Sequence, residues 1–167
     1  MNLYILRHGI AVEPGSPGYA TDADRPLVPK GKRKLKEIAK GMDALGLNFD
    51  LILSSSYRRA SQTAEIIACT FKPRKQVEFS QDLTPGGSPK KVLEQLTHLH
   101  PQPEDVLLVG HEPYLSDLIS LLISGESGLS ITMKKAGLCK LSAERLCFGR
   151  CATLEWLMTP KQMALMG

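Results

Sequence analysis

Leu51-Ile52-Leu53-Ser54-Ser55-Ser56-Tyr57-Arg58-Arg59-Ala60-Ser61-Gln62-Thr63-Ala64 is the stretch whose reading decides the fold. Its apolar opening reads as a buried strand and its serines as a turn. The residues from Ala60 start a helix whose apolar face continues through Ala64, Ile67 and Phe71. A hydroxyl-rich, doubly cationic turn therefore stands at the carboxyl end of a strand, where open α/β sheets bind ligands. Val106-Leu107-Leu108-Val109-Gly110-His111-Glu112-Pro113 repeats this order, ending an apolar strand in Gly-His, with Pro113 suited to the first turn of the next helix. Leu3-Tyr4-Ile5-Leu6, followed by Arg7-His8-Gly9, does so a third time.

Further segments carry the same alternation. Lys34 to Leu45 puts Leu35, Ile38, Ala39, Met42 and Leu45 on one helical face; Leu115, Leu118, Ile119, Leu122 and Ile123 line another. Val92, Leu96 and Leu99 mark a shorter helix opened by Ser88 as N-cap and Pro89. Val77 to Phe79, Gly137 to Leu141 and Thr153 to Leu157 add strands. The pattern predicts an α/β fold: a three-layer α/β/α sandwich around a mostly parallel central sheet. Only Ile10 to Pro29 is a long connection, and its prolines and glycines forbid regular structure over most of it.

A chain of 167 residues, 43% hydrophobic and 23% charged, suits one domain over residues 1–167. It opens on no basic-then-apolar leader, and no apolar run approaches the roughly eighteen residues that span a bilayer, so the expectation is a cytoplasmic protein with no membrane partner. Cys69, Cys139, Cys147 and Cys151 show no paired C-x-x-C spacing and read as buried free thiols. The net charge of +4 gathers at Lys30 to Lys36, at Lys72, Arg74 and Lys75, and at Lys134-Lys135. Each cluster reads as a solvated face able to steer an anion. Nucleic acid is disfavoured, because only 5% of residues are aromatic and none interleave with a basic stripe.

Three strands thus deliver Arg7, His8, Arg59 and His111 to one crevice. Arginine forks match phosphate oxygens bidentately, and helix-start N–H groups add attraction for an anion. A neutral imidazole in such a nest can attack phosphorus in line and become a phosphohistidine that water reopens. Guanidinium groups supply the neutralisation, so neither metal nor other cofactor is expected. His98 and His100, near a helix end before Pro101 and without cationic company, read as surface or capping residues, and Tyr57 as packing near the pocket rim.

These three signatures resemble the histidine phosphatase superfamily, the phosphoglycerate-mutase-like or RHG-motif proteins. Arg7-His8-Gly9 matches its motif after the first strand, Ser54 to Ala64 its second segment with Ser56 in place of proline, and Gly110-His111 its third. The resemblance implies that His8 is the nucleophile, that Arg7 and Arg59 grip phosphate beside Gly9, and that His111 completes the pocket. Nearly the whole chain is similar to the small SixA-type phosphohistidine phosphatases, which lack a large cap. That likeness includes Arg25-Pro26-Leu27, Asp82 to Gly87, and Trp156 followed by Met158-Thr159-Pro160. Arg25 either adds a cation to the phosphate site or pairs with Asp22 or Asp24.

One departure bears on substrate. Many superfamily members place a general acid at the position of Pro85, and none stands there. Asp82 and Glu112 are the candidate replacements. An alkoxide leaving group needs that proton more than an imidazole, which titrates near about 6.5 and departs neutral once its other nitrogen is protonated. The expected substrate is therefore phosphohistidine on a partner protein, such as a phosphotransfer domain, reached through a shallow crevice. The alternatives are a phosphomonoesterase acting on small esters or nucleotides under a lid formed by Ile10 to Pro29, and a non-catalytic phosphate-recognising module.

Overall fold

In the computed structural model, which describes residues 1–71 and 76–167, strands and helices alternate along the chain. The order is β1 (Asn2–Arg7), α1 (Pro29–Ala44), β2 (Leu51–Ser55), α2 (Arg58–Ala68), β3 (Val77–Ser80) and α3 (Pro89–Thr97). It continues with β4 (Asp105–Gly110), α4 (Tyr114–Ser124), β5 (Leu138–Ser142), β6 (Thr153–Met158) and α5 (Pro160–Ala164). The basic cluster at Lys72, Arg74 and Lys75 lies outside the described residues.

The strands form one sheet in the order β3-β2-β4-β1-β5-β6. β1 and β2 pair with β4 in parallel, as does β3 with β2, whereas β5 runs antiparallel to both β1 and β6. Alternation along each strand feeds two cores. Leu3, Ile5, Leu53, Val106 and Leu108 pack beneath α3 and α4; Tyr4, Leu6, Ile52, Leu107 and Val109 pack beneath α1, α2 and α5. This is the expected three-layer α/β/α arrangement, and burial on both faces explains why the central strands read as continuous apolar runs.

Element boundaries depart from the periodicity at the helices. α1 begins at Pro29, a full turn before Lys34, because proline fits the first helical position and Gly31 lets the helix approach the Ile10 carbonyl. A Cβ on Gly31 would lie 2.2 Å from that oxygen. α2 starts at Arg58 and stops at Ala68. α5 carries no long apolar pattern and was not anticipated from the sequence; a capping box between Thr159 and Gln162, with Pro160 at its start, opens it. Of the cysteines, only Cys139 is buried: Cys69 and Cys147 are exposed and Cys151 is half-buried, against the expectation of buried thiols. Among the described residues no helix is long and apolar enough to cross a membrane.

Candidate active site

Register brings the motifs together. Arg7 stands opposite Gly110 and Ser54 opposite Val109, so β1, β2 and β4 end at one level and hand on to His8, to the serine turn and to His111. The His8 N–H donates to the Gly110 carbonyl at 3.0 Å, and the two imidazole rings lie 5.1 Å apart between centroids. The 133–137 segment clamps the other side. Ala136 N–H donates to the carbonyls of both Arg7 and His8, and the Met133 carbonyl accepts from Arg7 Nη1 at 2.7 Å. Ala136 adopts a left-handed φ of 63°, a conformation an alanine holds only where its surroundings impose it.

The tautomer of His8 follows from its neighbours. Its Nδ1 lies 2.7 Å from the Gly9 carbonyl, which can only accept, so Nδ1 carries the proton. Nε2 is then a lone pair, and it accepts from Arg59 Nε at 3.2 Å. Burial drives the His8 pKa down to about 4 against the Gly9 hydrogen bond, with Arg59, Arg7 and Lys135 lowering it further. The ring is therefore neutral near pH 7.

His111 presents the complementary geometry. Its Nε2 is 2.8 Å from Ser55 Oγ, and that hydroxyl already accepts the Tyr57 N–H at 3.2 Å. The Ser55 hydroxyl proton has no other acceptor among the described residues, so it is assigned to Nε2, with the His111 proton on Nδ1. Burial, then the charge of Arg59 and the nearby His8, push the His111 pKa down to about 3. His111 Nδ1 and Arg7 Nε are both buried without a hydrogen-bond partner among the described residues. Two orphaned donors beside Arg59 are what a tetrahedral oxyanion would satisfy. Tyr57, read as packing from the sequence, sets its ring edge-on to His111 and beneath the Arg59 guanidinium, each at 5.2 Å.

The remaining candidates fall into supporting places. The Gly9 N–H donates to Thr63 Oγ1 at 3.0 Å, and a Cβ there would sit 2.7 Å from Leu35, so Gly9 holds the loop close to α1 and α2. Glu112 accepts from Ser116 N–H and Oγ–H at the start of α4. Asp82 lies near Tyr114, whose pKa it helps burial to raise. The carboxylate that reaches the cluster is instead Asp22, in the 3-10 turn Asp22–Asp24. It accepts from Arg59 Nη2 at 2.8 Å and from Arg25 Nε at 2.8 Å, and the Arg25 guanidinium also holds the Val12 carbonyl. Asp22 entered the sequence reading only as a partner for Arg25; its i−3 spacing to that arginine was the one signal available. His98 and His100 are exposed, with His98 Nδ1 against the Glu94 carbonyl at the end of α3.

The cluster is also deeper than a shallow crevice implies, with His8 7%, Arg59 3% and His111 2% exposed. Lys135, paired with Glu13 at 3.5 Å, flanks it.

The chain is similar to known proteins in sequence and in fold. A family model described as the histidine phosphatase superfamily (branch 1) matches residues 3–84, the segment holding Arg7, His8, Arg25 and Arg59. An uncharacterized protein of Picosynechococcus sp. is 41% identical over 140 residues, covering 83% of this chain and 82% of its own. Phosphohistidine phosphatase SixA of Escherichia coli K12 is 26% identical over 161 residues, 96% of this chain and 94% of that protein. A solved structure of the protein histidine phosphatase SixA with tungstate superposes with a TM-score of 0.82 at 25% identity, covering 98% of this chain and 99% of the other.

Proposed function

The chain belongs to the histidine phosphatase superfamily, and from that premise we propose that it is a phosphohistidine phosphatase working through a covalent phospho-His8 intermediate. The observation that carries the reading is the state of His8: neutral, with its proton held on Nδ1 by donation to the Gly9 carbonyl, and with its Nε2 lone pair beside Arg59. That lone pair attacks phosphorus as the P–N bond of the substrate breaks, and the departing imidazole, its other nitrogen already protonated from solvent, leaves neutral. Water then attacks the phosphoenzyme, the P–Nε2 bond breaks, and inorganic phosphate departs. Arg7, Arg59 and His111 Nδ1–H hold the equatorial oxygens, replacing in place what solvent would have to reorganise to supply.

The leaving group supports phosphohistidine over an ester. Glu112 is engaged at the start of α4 and position 85 is proline, which leaves Asp82 alone among the sequence's candidate acids. An imidazole departs without the strong acid that an alkoxide requires. The similarity to SixA proteins supports the same class, and tungstate in one of them is a tetrahedral oxyanion like phosphate. The partner of this reading is a phosphohistidine-bearing protein, and the protein acts without metal, in the cytoplasm.

Incubation with a labelled phosphohistidine protein tests this directly. Wild type should give an acid-labile phosphoenzyme and release phosphate, and His8→Ala should lose both, by at least about a thousandfold in rate. Retained turnover in His8→Ala would remove His8 as nucleophile. Faster turnover of a small phosphate ester than of any phosphohistidine protein would favour the phosphomonoesterase.

A further inference from the structure

Asp22 places a carboxylate where the chemistry of the site calls for a phosphate oxygen. Arg59 donates from Nη2 to Asp22 Oδ2 at 2.8 Å and from Nη1 to the Asp22 carbonyl at 2.6 Å, while its Nε meets His8 Nε2 at 3.2 Å. Every nitrogen of Arg59 is thus donating inside the protein. Arg25 holds the other carboxylate oxygen, Oδ1, through Nε at 2.8 Å and Nη2 at 2.5 Å. Asp22 therefore bridges two guanidinium groups, one on each carboxylate oxygen, as an oxyanion of phosphate would.

The two sides of this contact differ in freedom. The Asp22 side chain is 50% exposed and belongs to a short surface turn; the Arg59 side chain is 4% exposed on α2. The half-exposed carboxylate can be resolvated by water once released, but the guanidinium stays behind as a buried cation that needs an anion. Exchange of Asp22 for an incoming oxyanion is then balanced in charge, whereas simple opening is not. Partial burial works to raise the Asp22 pKa, yet the hydrogen bonds from Arg25 and Arg59 outweigh it and hold the carboxyl below its ordinary value. A carboxyl held ionised is a competing anion rather than a proton donor.

We infer that Asp22 is an affinity-setting residue, an internal competitor for the phosphate subsite on Arg59 that is exchanged for the phosphoryl group. The inference rests on the phosphatase reading for the identity of that anion. Its consequence is weak retention of free inorganic phosphate, because only a phosphoryl group carried by a partner brings further contacts to offset displacement of Asp22. Asp22 returning to Arg59 assists departure of the product.

Inorganic phosphate is the probe, titrated by calorimetry into wild type, Asp22→Asn, Asp22→Ala and the control Asp24→Asn. Asp24 lies in the same turn, but its carboxylate caps Thr21 and does not contact the arginines. Both Asp22 variants should bind phosphate about tenfold more tightly, about 1.4 kcal/mol. Product inhibition should strengthen in the same ratio, and KM should fall more than kcat. Asp24→Asn should stay within about twofold of wild type. Unchanged or weaker phosphate binding by folded Asp22 variants would overturn the inference and leave Asp22 as a support for Arg59. A fall in kcat with loss of a limb in the pH profile would overturn it in favour of proton transfer. Should one variant fail to fold, the other carries the comparison. Phosphate binding is read without turnover, so failure of the phosphoenzyme experiment and failure of this one are separate results.

Discussion

His8 keeps its proton on the nitrogen turned to the Gly9 carbonyl, and this one contact decides which atom of the ring can react. Sequence alone names the histidine but cannot choose between its nitrogens. Burial adds the second condition, because a charged imidazole is disfavoured among Arg7, Arg59 and Lys135. The pH dependence of kcat/KM reports groups of the free enzyme. Its acid limb from the enzyme should therefore lie near pH 4, where His8 protonates, and not near the ordinary histidine value of about 6.5. A limb near 6.5, measured with a substrate that does not titrate there, would contradict the buried neutral state. At this scale Arg7, His8, Arg59 and His111 were legible because each stands at or just beyond the end of a strand in a readable motif. Ser55, Tyr57, Asp22 and the Met133 carbonyl were not, since their roles come from contacts across distant segments.

At the scale of elements, α1 fixes the loop that carries His8. The helix enters at Pro29, and Gly31 rests against the carbonyl of Ile10, two residues beyond the histidine. An alanine at an exposed helical glycine is ordinarily stabilising by about 1 kcal/mol. Here the new Cβ meets backbone that cannot rotate away, 2.2 Å distant, so Gly31→Ala should instead destabilise by roughly 1 to 3 kcal/mol. Urea midpoints give the sign, and a lowered phosphoenzyme yield would show that the loop has moved with the helix. Periodicity marked α1 but placed its start at Lys34, because the first turn carries prolines, lysines and glycine and gains its place from that close approach. α5 was missed for a related reason: a five-residue helix has a cap to announce it but too few turns to show a period.

For the molecule as a whole, two buried neutral histidines make folding a function of pH. In the folded state the pKa of His8 is about 4 and that of His111 about 3, against about 6.5 unfolded. Between these values the unfolded chain binds more protons, so stability rises with pH. Their contribution is complete above about 6.5 and is lost as pH falls toward 4, at no more than about 1.4 kcal/mol per pH unit for each histidine. Denaturant midpoints should fall from pH 7 to pH 5, and His111→Gln should show about half the slope. An equal slope in that variant would assign the acid sensitivity to other groups.

The alternation of strands and helices, the three layers and the convergence of Arg7, His8, Arg59 and His111 at one edge of the sheet were legible in the sequence itself, whereas the strand order and the antiparallel β5 were not. Burial of a parallel sheet on both faces demands unbroken apolar strands, and such strands must stop where polar chemistry begins. The tertiary structure alone decided the protonated nitrogen of His8, the orphaned donors of Arg7 and His111, and the capture of Arg59 by Asp22. Each depends on how packing sets a side chain at the scale of about 3 Å, whether toward the next residue, as His8 to Gly9, or across 37 residues, as Arg59 to Asp22, and hydrophobic patterning specifies which face a residue takes but not what it meets there.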